Sequence, residues 1–195
     1  MNPLRQNHKS RHLLLVISLH PENPANPTGI REEQAKDYFQ TLSLSQNWEL
    51  KHDYIYLSIS AGGERWAQDK ANKRRVRDLR RGFYKRMQCT KPDLILISGK
   101  FTALEFRRAL EDMMWKRSTV SQLYRCNFED TIPRQVITPS WTAPVKLIPN
   151  LGYFGCESIR KARLPESYWG RMHLEVSKEM ATIDENLRLQ GEHWL

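Results

Sequence analysis

Apolar residues occur along the chain in two alternating patterns: short continuous runs, and longer stretches in which they recur every three or four positions. The first run, His12-Leu-Leu-Leu-Val-Ile-Ser-Leu19, is apolar at nearly every position, the pattern of a strand covered on both faces. Three prolines and a glycine follow within His20 to Gly29, so helix is excluded there. Ala35, Tyr38, Phe39 and Leu42 then recur at helical spacing, with Thr28 available as a cap. A second strand is expected near 54–59, in Asp53-Tyr-Ile-Tyr-Leu-Ser-Ile-Ser60, closed by Ala61-Gly62-Gly63. Val76, Leu79, Phe83 and Met87 mark one face of the next helix, which Lys91-Pro92 ends. A third buried strand at 93–98 leads through Gly99-Lys100 into a helix with Ala103, Phe106, Leu110 and Met113 inward. A short fourth strand is read at 134–138, and Pro and Gly are frequent from there to Pro165. A closing helix, about 165–190, carries Trp169, Met172, Val176, Met180, Ile183 and Leu187 on one side.

Strand and helix alternate throughout, which predicts an α/β fold: a three-layer α/β/α sandwich on a mostly parallel four-stranded central sheet. The 195 residues make one domain, 1–195. In such sheets ligands bind beyond the carboxyl ends of the strands. The unusual segments, His20 to Gly29, Ser58 to Gly63, Ser98 to Lys100 and Thr138 to Trp141, all follow strands and are expected to converge on that edge.

Charge adds a partner class. The formal net charge is +9, and it is concentrated: between Arg65 and Arg86 ten basic residues face only Asp69 and Asp78. The apolar face of that helix leaves most of its arginines outward, Arg74, Arg77 and Arg81 among them, which suits a polyanion. Three cysteines, Cys89, Cys126 and Cys156, are too few and too scattered for a zinc ribbon, a redox pair or a disulfide framework, and fit a reducing, cytoplasmic compartment. No apolar run reaches the ~20 residues of a spanning helix, so no membrane partner is expected.

Several catalytic patterns are excluded. Ser98-Gly99-Lys100-Phe101-Thr102 lacks the first glycine and the post-lysine hydroxyl of a nucleotide phosphate loop. It keeps a strand–Gly–helix junction able to hold a single phosphate. The six histidines show no paired ligand spacing, no acidic cluster suits Mg²⁺, and no Gly-x-Ser-x-Gly elbow occurs, so neither metal nor cofactor is expected. His20 stands just past the first strand beside Glu22, Asn23 and Asn26, a polar cluster in a proline-ordered loop, and is a candidate for acid–base work.

Together these segments resemble the uracil-DNA glycosylase superfamily, most nearly its mismatch-specific thymine/uracil branch, over about Leu13 to Leu147. The resemblance lies in the strand ending before Pro21, the polar end of the second strand at Ser58, Lys91-Pro-Asp-Leu-Ile-Leu-Ile-Ser-Gly-Lys100 ahead of an Ala-containing helix, and Thr138-Pro-Ser140. Three positions depart from the family pattern. Its water-orienting Asp or Asn falls on His20, its base-reading Asn on Ser58, and the His or Asn of its last motif on Thr138.

The resemblance implies a protein that binds DNA, double-stranded, flips a damaged or modified base into a pocket and cleaves its N-glycosidic bond. His20 or Glu22 would then align or deprotonate water, Asn23 and Ser58 would contact the base, and Gly99, Lys100, Thr138 and Ser140 would grip phosphates. Trp141 would wedge into the base stack. Two other classes stay open: a non-catalytic nucleic-acid-binding module on this scaffold, and a protein whose basic helix docks an acidic partner.

Overall fold

The computed structural model describes residues 11–19, 32–42, 47–55, 70–114, 134–138, 140–152 and 155–192. Among them the order is β1 (His12–Leu19), α1 (Glu32–Thr41), β2 (Trp48–Ile55), α2 (Lys70–Thr90), β3 (Leu94–Ser98), α3 (Lys100–Met114), β4 (Gln135–Ile137), β5 (Thr142–Ile148), α4 (Cys156–Ala162) and α5 (Tyr168–Glu192).

The strands form one sheet in the order β2-β1-β3-β5-β4. β2, β1, β3 and β5 are parallel, with Leu14 opposite Leu94 and Ile95 opposite Val145. The chain leaves β1 for β2 on one side and returns to β3 on the other, so the carboxyl ends of β1 and β3 flank a topological switch point.

Side-chain alternation along the strands divides the core. Leu15, Ile17, Ile95, Ile97, Val145 and Leu147 point to one face, where Phe83 and Met87 of α2 and Ala103, Phe106 and Leu110 of α3 cover them. Leu14, Val16, Leu94, Leu96 and Ile148 point to the other, covered by Tyr38 and Phe39 of α1, Ile159 of α4 and Val176 and Met180 of α5. With helices on both faces, the central strands must be largely apolar, and β1 and β3 are apolar almost throughout.

Three expectations from the sequence are corrected. Among the described residues the sheet has five strands, because 142–148 is a strand that the sequence pattern concealed. The strand read at 134–138 is β4, which runs antiparallel to β5, with Ile137 opposite Thr142. Thr142, Pro144 and Lys146 interrupt β5, yet its alternate residues Ala143, Val145 and Leu147 are buried, and it supplies the fourth parallel strand. The second strand also begins earlier than expected, at Trp48.

Candidate nucleic-acid interface

The carboxyl edge of the sheet is organised around the end of β3. Ser98 is buried; its hydroxyl accepts a hydrogen bond from the Leu151 amide (2.9 Å), and its carbonyl accepts one from Thr102 Oγ1. Gly99 follows in a left-handed conformation, φ 84°, that a side chain would strain. Its amide donates to the Ile148 carbonyl (3.0 Å), and a Cβ there would lie 3.1 Å from that of Asn150. The turns after β3 and β5 are therefore locked together. Asn150 Oδ1 accepts from the Gly152 amide (2.8 Å), a side-chain turn that shapes the second of them.

Gly99 also caps α3: its carbonyl accepts from the Ala103 amide, and it has no side chain to satisfy the other first-turn donors. Lys100 begins that turn, exposed, with Nζ 4.6 Å from the centre of the Tyr168 ring. Gly99 and Lys100 thus form the strand–Gly–helix junction expected from the sequence.

α2 places the arginines. It returns the chain from the carboxyl end of β2 to the start of β3, so its first turns lie toward the carboxyl edge. Arg86, near its other end, pairs with Asp53 of β2 at 3.1 Å, two residues from the end of that strand. The earlier turns consequently reach past the strand ends. Phe83 and Met87 are buried as expected from their spacing, whereas Leu79, one turn earlier, is only half-buried. Arg74, Arg77 and Arg81 are all exposed.

Arg80 behaves differently. It is buried and donates from Nη2 to Glu105 Oε2 of α3 at 3.0 Å, while Arg108 reaches Oε1 at 2.7 Å. Glu105 is 1% exposed. This pairing and the edge-to-face contact of Phe83 with Phe106 (6.2 Å) fix the register of the two helices. In that register Lys100 and Phe101 stand level with the turns that hold Arg74 and Arg77.

Not all expected site residues come together. His20, Glu22, Asn23 and Ser58 lie outside the described residues. Thr138, Ser140 and Trp141 belong to the β4–β5 turn, and the antiparallel pairing puts that turn beside the amino ends of the parallel strands. β5, of seven residues, separates it from Asn150 by about 20 Å. Thr138 is buried, its Oγ1 donating to the Trp141 carbonyl (2.8 Å) and accepting from the Trp141 amide (3.0 Å), so its hydroxyl closes the turn. Ser140 is exposed there, and Trp141 is half-buried against the core beneath α2 and α3. The expected convergence of Thr138, Ser140 and Trp141 with Gly99 and Lys100 is thus overturned by the reversal of β4.

The carboxyl edge instead receives Pro149 and Asn150, which sequence reading missed because the strand before them was missed. It also carries Phe101, 76% exposed. Phe101 was recoverable from the sequence, since it falls off the Ala103, Phe106, Leu110 face of its helix. Among the described residues no group of three or more His, Cys, Asp or Glu side chains is placed to hold a metal ion, and no helix is long and apolar enough to cross a membrane.

Neither protein-family models, nor curated proteins, nor solved structures gave a match to this chain.

Proposed function

We propose that the protein binds DNA, with the exposed arginines of α2 on the phosphodiester backbone and the switch-point crevice receiving one nucleotide turned out of the duplex. One observation supports this reading above the others. The arginine-bearing turns of α2 extend past the same sheet edge at which Gly99 and Lys100 form a strand–helix junction suited to phosphate. Backbone grip and the switch-point crevice would then be adjacent, on a scaffold we read as a three-layer α/β/α sandwich.

The chemistry we assign to the crevice is N-glycosidic cleavage. β1 ends at Leu19, its carboxyl end flanks the switch point, and His20 is the next residue of the sequence. In the crevice His20 or Glu22 would align the attacking water, with Asn23 and Ser58 against the base. Gly99 and Lys100 would hold the phosphate beside the extruded sugar. Thr138, Ser140 and Trp141 have no part in this arrangement, being at the other end of the sheet.

The test is base release. Duplexes carrying assorted damaged or modified bases are incubated with the protein, and abasic sites are revealed by strand scission. Release from at least one substrate is expected, with His20→Ala lowering its rate by ~10²–10⁴ while affinity stays within a few-fold. Salt-sensitive DNA binding without release from any substrate would replace the enzyme with a non-catalytic nucleic-acid-binding module. Absence of DNA binding would leave the acidic-partner reading.

A further inference from the structure

Phe101 is the most exposed large apolar side chain among the described residues, at 76%. It lies on the first turn of α3, next to Lys100. Phe101, Glu105 and Arg108 succeed one another at intervals of four and three, so they form one ridge of α3. The ridge faces α2, because Glu105 on it pairs with Arg80. Phe101 therefore stands at the upper mouth of the groove between α2 and α3, with Leu104, 38% exposed, beside it. On the facing helix Arg77, one turn before the buried Arg80, and Arg81, the residue after it, are both exposed.

An aromatic ring open to water beside guanidinium and ammonium groups is the combination that holds unpaired nucleic acid. Bases stack on the ring regardless of sequence, while the cations track the phosphates. An acidic protein surface would satisfy the cations but leaves the ring without a specific partner. Resting on the DNA-binding reading above, we infer that the groove between α2 and α3 holds a single-stranded segment, with a base stacked on Phe101 and flanking phosphates on Lys100, Arg77 and Arg81.

Two probes of equal length and equal charge separate stacking from phosphate contact: oligothymidylate, and the same sugar-phosphate chain without bases. Fluorescence anisotropy of the full-length protein is expected to show tighter binding of oligothymidylate, by roughly ten-fold. Phe101→Ala should erase that preference and leave binding of the abasic chain, and its salt dependence, unchanged. Phe101→Trp should restore the preference. Because Phe101 is exposed, the variants should keep the parent melting temperature. A preference for oligothymidylate that survives in Phe101→Ala, or no preference in the parent protein, would overturn the inference while leaving the DNA-binding reading standing. Failure of the parent to bind either probe or any duplex would remove both. Binding to phosphatidylserine vesicles that depends on Phe101, without binding to either oligonucleotide, would assign the groove to a membrane surface and overturn it as well.

Discussion

Arg80 and Glu105 meet at 3.0 Å in the interface between α2 and α3, and both are buried. The pair fixes how far α2 extends past the edge of the sheet, and with it where the neighbouring arginines stand. Truncating one partner would leave the other charge buried without its counter-ion. Glu105→Ala is therefore expected to lower unfolding free energy by about 3–5 kcal/mol in urea titrations, and Arg80→Met/Glu105→Leu to recover most of it. Arg108→Ala, which removes a partly exposed partner of the same carboxylate, should cost below about 1 kcal/mol. Equal losses from Glu105→Ala and Arg108→Ala would show that Arg80 does not depend on Glu105.

The turns that build the carboxyl edge leave no room for a methyl group. A Cβ at Gly155 would sit 1.4 Å from the Asn150 carbonyl oxygen, and one at Gly99 would meet both Asn150 and an unfavourable φ. Gly99→Ala and Gly155→Ala are each expected to destabilise by about 1–3 kcal/mol. Gly82, within α2, is the control: the nearest atom to its Cβ is Arg86 Nη1 at 3.7 Å, and Gly82→Ala should stabilise by about 0.5–1 kcal/mol. The reverse order of effects in thermal melts would contradict the packing of Gly99 and Gly155 against Asn150.

Two histidines predict the sign of the pH dependence of stability. Burial lowers the pKa of His52, against a smaller raising effect of Asp53, and burial alone lowers that of His173, whose Nδ1 lies 3.5 Å from the Tyr38 hydroxyl. An unfolded chain takes up protons on these groups near the ordinary value of about 6.5, before the folded protein does. Their contribution is thus fully present above that pH and is lost as pH falls through the lower folded-state values. Urea midpoints should drop between neutral pH and pH about 5, and His52→Gln/His173→Gln should flatten the slope over that window. A steeper slope in the double variant would contradict the burial of these rings.

The sequence was most informative where burial is two-sided. β1 and β3 are apolar almost throughout because helices cover both faces of the sheet there, and both are where the apolar runs placed them. β2 is an edge strand carrying Glu49, Lys51 and Asp53, charges that protect an open edge and also disguise the strand. β5 was hidden by Pro144 and Lys146. Missing it shifted the fourth parallel strand onto β4, and so put Thr138, Ser140 and Trp141 on the wrong edge. Gly99 and Lys100 were legible from a glycine between a strand and a helix. Asn150 was not, because its place depends on which strand precedes it. The outward side of α2 was legible from the spacing of Phe83 and Met87, although the same spacing could not single out Arg80 as the arginine that turns inward to Glu105.

The salt dependence of DNA binding tests the proposed interface most directly. Each phosphate neutralised by a lysine or arginine releases counter-ions, and for duplex DNA contributes about 0.9 to the slope of log affinity against log salt concentration. The parent protein is expected to bind a duplex with a steep negative slope. Arg74→Glu/Arg77→Glu/Arg81→Glu should lower affinity at least roughly ten-fold and make the slope shallower by about 2–3. Unchanged affinity and slope in the triple variant, whose exposed positions leave the fold intact, would contradict the assignment of α2 to the nucleic-acid backbone.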